Sequence, residues 1–275
     1  MASSAWLRNR GNHTVKGVLL DITGVLYNSG DGDGVAIDGS GAAIQTLQSS
    51  GLRVCFLSNE STETRACLAE KLTRLGFQLS PEQIFCPAPA ARRYLLKHGL
   101  RPHLLTAPGV LPEFEGVSTA EPNCVVMGDA QEGFTYAALN AALRVLLSLS
   151  QPNLVTLGYG KYYMETDGLK LDVGAYARAL EYATDAEVTN LGKPNPEFFG
   201  AALDAMALTA DEVVMIGDDI VSDVGGAQKC GIRAVQVRTG KWREEWTHHR
   251  DVQPDAIVAD LREAVELLCG GDSSA

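Results

Sequence analysis

The chain has 275 residues, 45% hydrophobic and 21% charged, with a formal net charge of −11. That composition supports one large or two modest globular domains with a real core. The acidic balance argues against nucleic acid as a partner, because such binding rests on neutralising phosphates with Lys and Arg. No run approaches 18 uncharged apolar residues, so no membrane-spanning helix is expected. Six scattered cysteines (Cys55, Cys67, Cys86, Cys124, Cys230, Cys269) form no CxxC pair and no zinc-like spacing. Most sit in apolar runs and read as buried free thiols of a reducing compartment, cytoplasmic with the nucleus as a second location. The first fourteen residues lack an apolar signal segment, so the sequons at Asn12 and Asn59 are taken as chance matches. That start and the closing GGDSSA read as disordered tails.

In chain order, VKGVLL (15–20), LRVCFL (52–57), EVVMIG (212–217) and IRAVQV (232–237) are apolar runs of the length and kind that form buried parallel strands. Between the first two, SGDGDG (29–34) is a flexible turn; it lacks the later ligand positions and the terminal Glu of a calcium loop. After the second, STETRACLAEKLTRLGF sets Leu68, Leu72 and Leu75 on one helical face, with Gly76 as a C-terminal stop. The middle repeats the rhythm: HLLTA, NCVVMG and NLVTLG predict strands, and TYAALNAALRVLLSL and GAYARALEYAT predict helices. Strands alternating with helices of this length imply βαβ units. The expected fold class is therefore α/β: a Rossmann-like parallel-sheet core over 15–86 and 189–265, with an α/β cap inserted over 87–188. In that cap, Gly158–Lys161 is a candidate substrate-facing loop, and Phe134, Tyr136 and Tyr176 are expected in the core.

Four places, each at the carboxyl end of a predicted strand, carry chemistry: Asp21 with Thr23, Ser58 with Asn59, Lys193 in LGKPNPEFF, and Asp218, Asp219 and Asp223 in GDDIVSD. Each alone has an ordinary reading, as turn former, helix cap or surface charge. Three aspartates within six residues repel one another and persist best where a cation neutralises them. Together the set describes phosphoryl transfer, with Asp21 as nucleophile forming an aspartyl phosphate. Mg²⁺ would be held by Asp21, Asp218 and the backbone carbonyl of Thr23, with Asp223 acting through a bound water and Asp219 further out. The Ser58 hydroxyl and the Asn59 backbone N–H would bind phosphate oxygens. Lys193 would balance charge on phosphate and on Asp21.

DITGVL, SN, the lysine of GKP, and GDDIVSD, in this order from about 15 to 240, resemble the four motifs of the haloacid dehalogenase superfamily. The resemblance implies a Mg²⁺-dependent phosphohydrolase with an α/β cap. It points to a branch acting on phosphohistidine, phospholysine, inorganic pyrophosphate and imidodiphosphate. The implied partners are a small phosphorylated substrate or a phosphorylated protein side chain. Caps of this kind often mediate dimers in the superfamily, so a homodimer is an expectation carried by the resemblance.

Thr23 departs from the superfamily pattern, in which many phosphatases place an acid two residues after the nucleophile. That acid protonates the leaving group and later activates water; a threonine hydroxyl does neither. Its absence costs about 10²–10⁴ in rate, or roughly 3–5 kcal/mol, for a leaving group that needs a proton. Phosphate leaves readily, with a relevant pKa of about 6. Imidazole leaves well once protonated near its own pKa of about 6.5. P–O–P and P–N bonds are therefore favoured over alkyl esters.

Other classes fit less well. No GxxxxGK[ST], GxSxG or HExxH is present, and each Gly-Lys precedes Tyr, Pro or Trp. Dehalogenation would not need the acidic cluster at 218–223. A phosphatase for another small metabolite, such as phosphoglycolate or a nucleotide, is disfavoured by Thr23. A catalytically weak regulatory or binding protein is disfavoured by Asp21, Lys193, Asp218 and Asp223.

Overall fold

The computed structural model describes residues 9–10, 13–30, 32–165 and 168–270. The two expected tails fall in large part outside the described residues, as does the sequon at Asn12. Two parallel sheets organise the chain. The larger has six strands in the order Ala256–Val258, Arg233–Val237, Val213–Gly217, Gly17–Asp21, Arg53–Leu57, Ile84–Phe85. Every neighbouring pair is parallel.

Side chains of these strands alternate between two apolar layers, as a two-residue period requires. Val18, Leu20, Val54, Phe56, Val214 and Ile216 face one layer with Ile44, Leu47, Leu68, Leu72, Val265 and Leu268 from three helices. Leu19, Cys55, Leu57, Val213 and Met215 face the other, against Phe198, Phe199 and Met206 of the helix Pro196–Met206. Each fully buried side chain of this size contributes about 1.5–3 kcal/mol. A slip of one residue in any strand would exchange the two faces.

The smaller sheet is also parallel, in the order Glu187–Asn190, Asn153–Thr156, Cys124–Met127, Pro102–Leu105. Helices Tyr136–Ser148 and Val173–Thr184 cover one face, and helix Pro87–His98 the other. Its last strand straddles position 188. An antiparallel hairpin, Tyr162–Glu165 with Gly168–Leu171, stands beside it and touches the loop after Gly17–Asp21, where Ser29 Oγ donates to the Met164 carbonyl at 3.1 Å.

The predicted strands and helices form where the sequence places them, and helix Arg65–Arg74 ends before Gly76 at φ +94°. SGDGDG belongs to a turn between Tyr27–Asn28 and Val35–Ala36, with Asp33 bonded to Arg74 at 2.7 Å; Asp31 lies outside the described residues. Tyr136 departs from expectation. It is 87% exposed, because it opens its helix about 100° round from the buried stripe of Ala142 and Leu146, whereas Phe134 and Tyr176 stack at 3.8 Å. All six cysteines are free; Cys55, Cys86 and Cys124 are buried, but Cys67 is exposed.

Candidate active site

The larger sheet brings three motif ends side by side. Register pairs Asp21 with Leu57 and Leu20 with Ile216, so Ser58 and Asp218 flank Asp21 at the carboxyl edge. The apolar strand forces burial of Asp21, and the chain meets that cost with a cation. Lys193 Nζ lies 2.5 Å from Asp21 Oδ1, 2.7 Å from Asp223 Oδ1 and 2.8 Å from the Leu57 carbonyl oxygen. Burial alone would favour a neutral lysine, but the Asp21 and Asp223 carboxylates raise its pKa above the ordinary value.

Lys193 comes from the loop between Glu187–Asn190 and Pro196–Met206, and Asn59 fixes that loop. Asn59 Oδ1 accepts the Lys193 backbone N–H at 2.8 Å, and Asn59 Nδ2 donates to the Lys193 carbonyl at 3.0 Å. This positioning role of the Asn59 amide had no signal in the sequence, since 134 residues separate the partners. Ser58 is buried, and its Oγ accepts the Glu60 N–H at 3.1 Å.

Asp218 follows Val213–Gly217 and rests on Gly24 and Gly240, where any Cβ would collide with its carboxylate. Its Oδ2 accepts the Lys241 N–H at 2.8 Å, while its Oδ1 is buried without a hydrogen-bond partner. Asp219 caps the following turn, accepting from the Val221 and Ser222 N–H groups, and pairs with Lys241 Nζ at 3.0 Å. A π-helical turn, Ile220–Gly225, carries Asp223 back to the site, where its Oδ2 accepts the Asp219 N–H at 3.0 Å. The Asp223 contact with Lys193 is a charge contact without hydrogen-bond geometry.

Asp21, Asp218 and Asp223 present one oxygen each within 4.8 Å of one another. Burial, then like charge from Asp21 and Asp223, raises the Asp218 pKa against the pull of Lys241. Burial and Asp21 likewise push Asp223 up to about 7. Asp219, despite its burial, is held at about 2 by Lys241 and two backbone N–H groups. An unpartnered buried carboxylate oxygen inside a triad short of positive charge is the donor set that suits a hard divalent cation.

These groups floor a cavity of about 240 Å³ whose lining includes Thr23, Tyr27, Lys71, Asp129, Tyr163, Asp172 and Lys241. Thr23 Oγ1 stands 3.5 Å from the Tyr27 hydroxyl, and Lys71 Nζ lies 5.0 Å from the Tyr27 ring centre. Gly160 of the Gly158–Lys161 loop reaches the cavity. Asp129 and Asp172, from the ends of predicted elements in the middle of the chain, carried no motif that would have singled them out.

The chain is similar to known proteins in sequence and in fold. The family model for haloacid dehalogenase-like hydrolases matches residues 18–119, and a second model of HAD-hydrolase-like proteins matches 190–264. The human protein named phospholysine phosphohistidine inorganic pyrophosphate phosphatase is 54% identical over 254 residues, 92% of this chain and 94% of that protein. The human haloacid dehalogenase-like hydrolase domain-containing protein 2 is 40% identical over 83% of this chain and 86% of its own length. Among solved structures, a 4-nitrophenylphosphatase from Thermotoga maritima superposes with a TM-score of 0.81. It is 24% identical and covers 92% of this chain and 97% of its own, a likeness of fold.

Proposed function

This chain belongs to the haloacid dehalogenase-like hydrolases and is a phosphohydrolase, and on that premise we propose that it cleaves P–N and P–O–P bonds through a phosphorylated Asp21 with Mg²⁺ bound. One observation carries the reading: Asp21, Asp218 and Asp223 converge, with Lys193 between Asp21 and Asp223, while a non-ionising Thr23 stands two residues after Asp21. The printed name of the 54%-identical human relative supports the same bond types.

In this reading Lys193 holds Asp21 Oδ1, leaving the other carboxylate oxygen to attack phosphorus. The bond to the leaving group breaks as the Asp21–phosphorus bond forms. The Ser58 hydroxyl and the Asn59 backbone N–H bind the non-bridging oxygens, and the Asn59 side chain holds Lys193 in place. Bound to Asp21, Asp218 and the Thr23 carbonyl, with Asp223 behind a water, Mg²⁺ would supply the positive charge that the triad lacks. Water then hydrolyses the aspartyl phosphate; with Thr23 unable to act as base, either this second step limits turnover or another residue supplies the base. The unit built on the smaller sheet, about 87–188, is the cap that covers the cavity and excludes water. The expected location is the cytoplasm, with the nucleus as a second.

The test is a phosphate-release panel of phosphohistidine, phospholysine, pyrophosphate, imidodiphosphate and alkyl phosphates, with Mg²⁺ and with EDTA. Release from the P–N and P–O–P compounds only with Mg²⁺ is expected. A preference for alkyl phosphates would overturn the bond assignment, and no release from any member would favour a binding role.

A further inference from the structure

Thr23 leaves the leaving-group side of the reaction without a titrating acid. Other carboxylates line the same cavity, and Asp129 is one of them. Asp129 follows the strand Cys124–Met127 at the carboxyl end of the smaller sheet and lines the cavity floored by Asp21. Its placement is fixed from both sides. The Asp129 N–H donates to Ser61 Oγ at 2.9 Å, and Ser61 is buried three residues after Ser58. Asp129 Oδ1 accepts the Gln131 N–H at 2.9 Å, and Tyr163 of the hairpin lines the same cavity and lowers the pKa of that carboxylate.

The charges facing Asp129 are negative. Asp172, at the start of Val173–Thr184, and Glu60, after Arg53–Leu57, both raise its pKa after burial has done so. The Gln131 N–H and Tyr163 oppose them, and the net result is about 6. Burial and like charge therefore move the titration of Asp129 up toward neutrality, the direction that serves proton donation.

We propose that Asp129 is the proton donor to the leaving side of N-phosphoryl substrates, taking the part that Thr23 does not play. The inference rests on the phosphohydrolase reading above and names the substrate class for which the cavity is equipped. In a phosphoramidate of lysine, the Asp129 proton goes to the nitrogen bonded to phosphorus. That P–N bond breaks with its electron pair on nitrogen, and a neutral amine leaves while the phosphoryl group passes to Asp21. In phosphohistidine, the proton goes to the other ring nitrogen, and imidazole leaves neutral. Pyrophosphate needs no such proton, since its leaving phosphate departs as an anion.

The experiment compares kcat/KM for phosphohistidine, phospholysine and pyrophosphate in the full chain and in Asp129→Asn, with Mg²⁺ and a thermal melt of each protein. Asp129→Asn is expected to lower kcat/KM for both N-phosphoryl substrates about 10²-fold relative to pyrophosphate. A parallel fall on all three, or no fall on the P–N substrates, overturns the inference and leaves the phosphohydrolase reading standing. Loss of every activity by the wild-type chain would instead strike that reading. If Asp129→Asn melts early, Tyr163→Phe carries the test. Removing a hydroxyl that lowers the Asp129 pKa moves the high-pH fall of the phospholysine profile upward and leaves the pyrophosphate profile in place. Identical shifts on both substrates, or none, overturn it.

Discussion

Lys193 Nζ bridges Asp21 Oδ1 at 2.5 Å and Asp223 Oδ1 at 2.7 Å, so one ammonium is shared by two buried carboxylates from opposite ends of the chain. Removing one partner of such a set leaves uncompensated buried charge, at a cost of about 3–5 kcal/mol. Lys193→Met is expected to lose activity and to melt well below wild type. Wild-type Tm in that variant would show that the ammonium is dispensable to the fold.

Asn59 is bonded to both backbone groups of Lys193; without that clamp Asn190 Nδ2 still donates to the Lys193 carbonyl at 3.3 Å, but the Lys193 N–H loses its partner, at a cost of about 1–3 kcal/mol. Asn59→Ala should lower kcat about tenfold or more with a smaller change in KM. The split is read from initial rates on pyrophosphate; a rise in KM alone would assign Asn59 to substrate binding instead.

The acidic triad ties stability to pH and to metal. The Asp223 pKa is raised to about 7 in the folded protein, against about 3.9 unfolded. Its contribution is therefore fully present below about pH 4 and is lost as pH rises through 7. Bound Mg²⁺ competes with those protons. The rise in Tm on adding Mg²⁺ is expected to be larger at pH 8 than at pH 5.5. Asp218→Asn, which removes one of the repelling charges, should raise Tm in EDTA by about 2–4 °C for each kcal/mol relieved and shrink the Mg²⁺ effect. Equal Mg²⁺ shifts at both pH values would remove the triad as the metal site.

Thr23→Asp places a carboxyl two residues after Asp21, beside the Tyr27 hydroxyl. Hydrolysis of alkyl phosphomonoesters is expected to rise, by up to about 10²-fold. Unchanged or lower rates would sink the leaving-group argument.

Much of this site could be read from the sequence because apolar strands that end abruptly in polar residues mark the carboxyl edge of a parallel sheet. Asp21, Ser58 and Asp218 were legible in that way, and Lys193 by its place among them. The Asn59 side-chain clamp was not legible, because its meaning depends on a partner 134 residues away. Asp129 was hidden for a related reason. A single Asp after a strand reads as a turn former, and only its contact with Ser61, 68 residues earlier, shows that it joins the cavity lining. The exposed Tyr136 shows the converse: an aromatic residue at a helix start reads as core until the helix face is known.

Acid-quenched single turnover tests the central claim most directly. The wild-type chain is mixed with Mg²⁺ and phosphohistidine labelled on phosphorus, quenched in acid, and digested. The label is expected on the peptide containing Asp21, decaying as phosphate appears, and absent from Asp21→Asn. Phosphate released with no protein-bound label, or label on a peptide without Asp21, would contradict it.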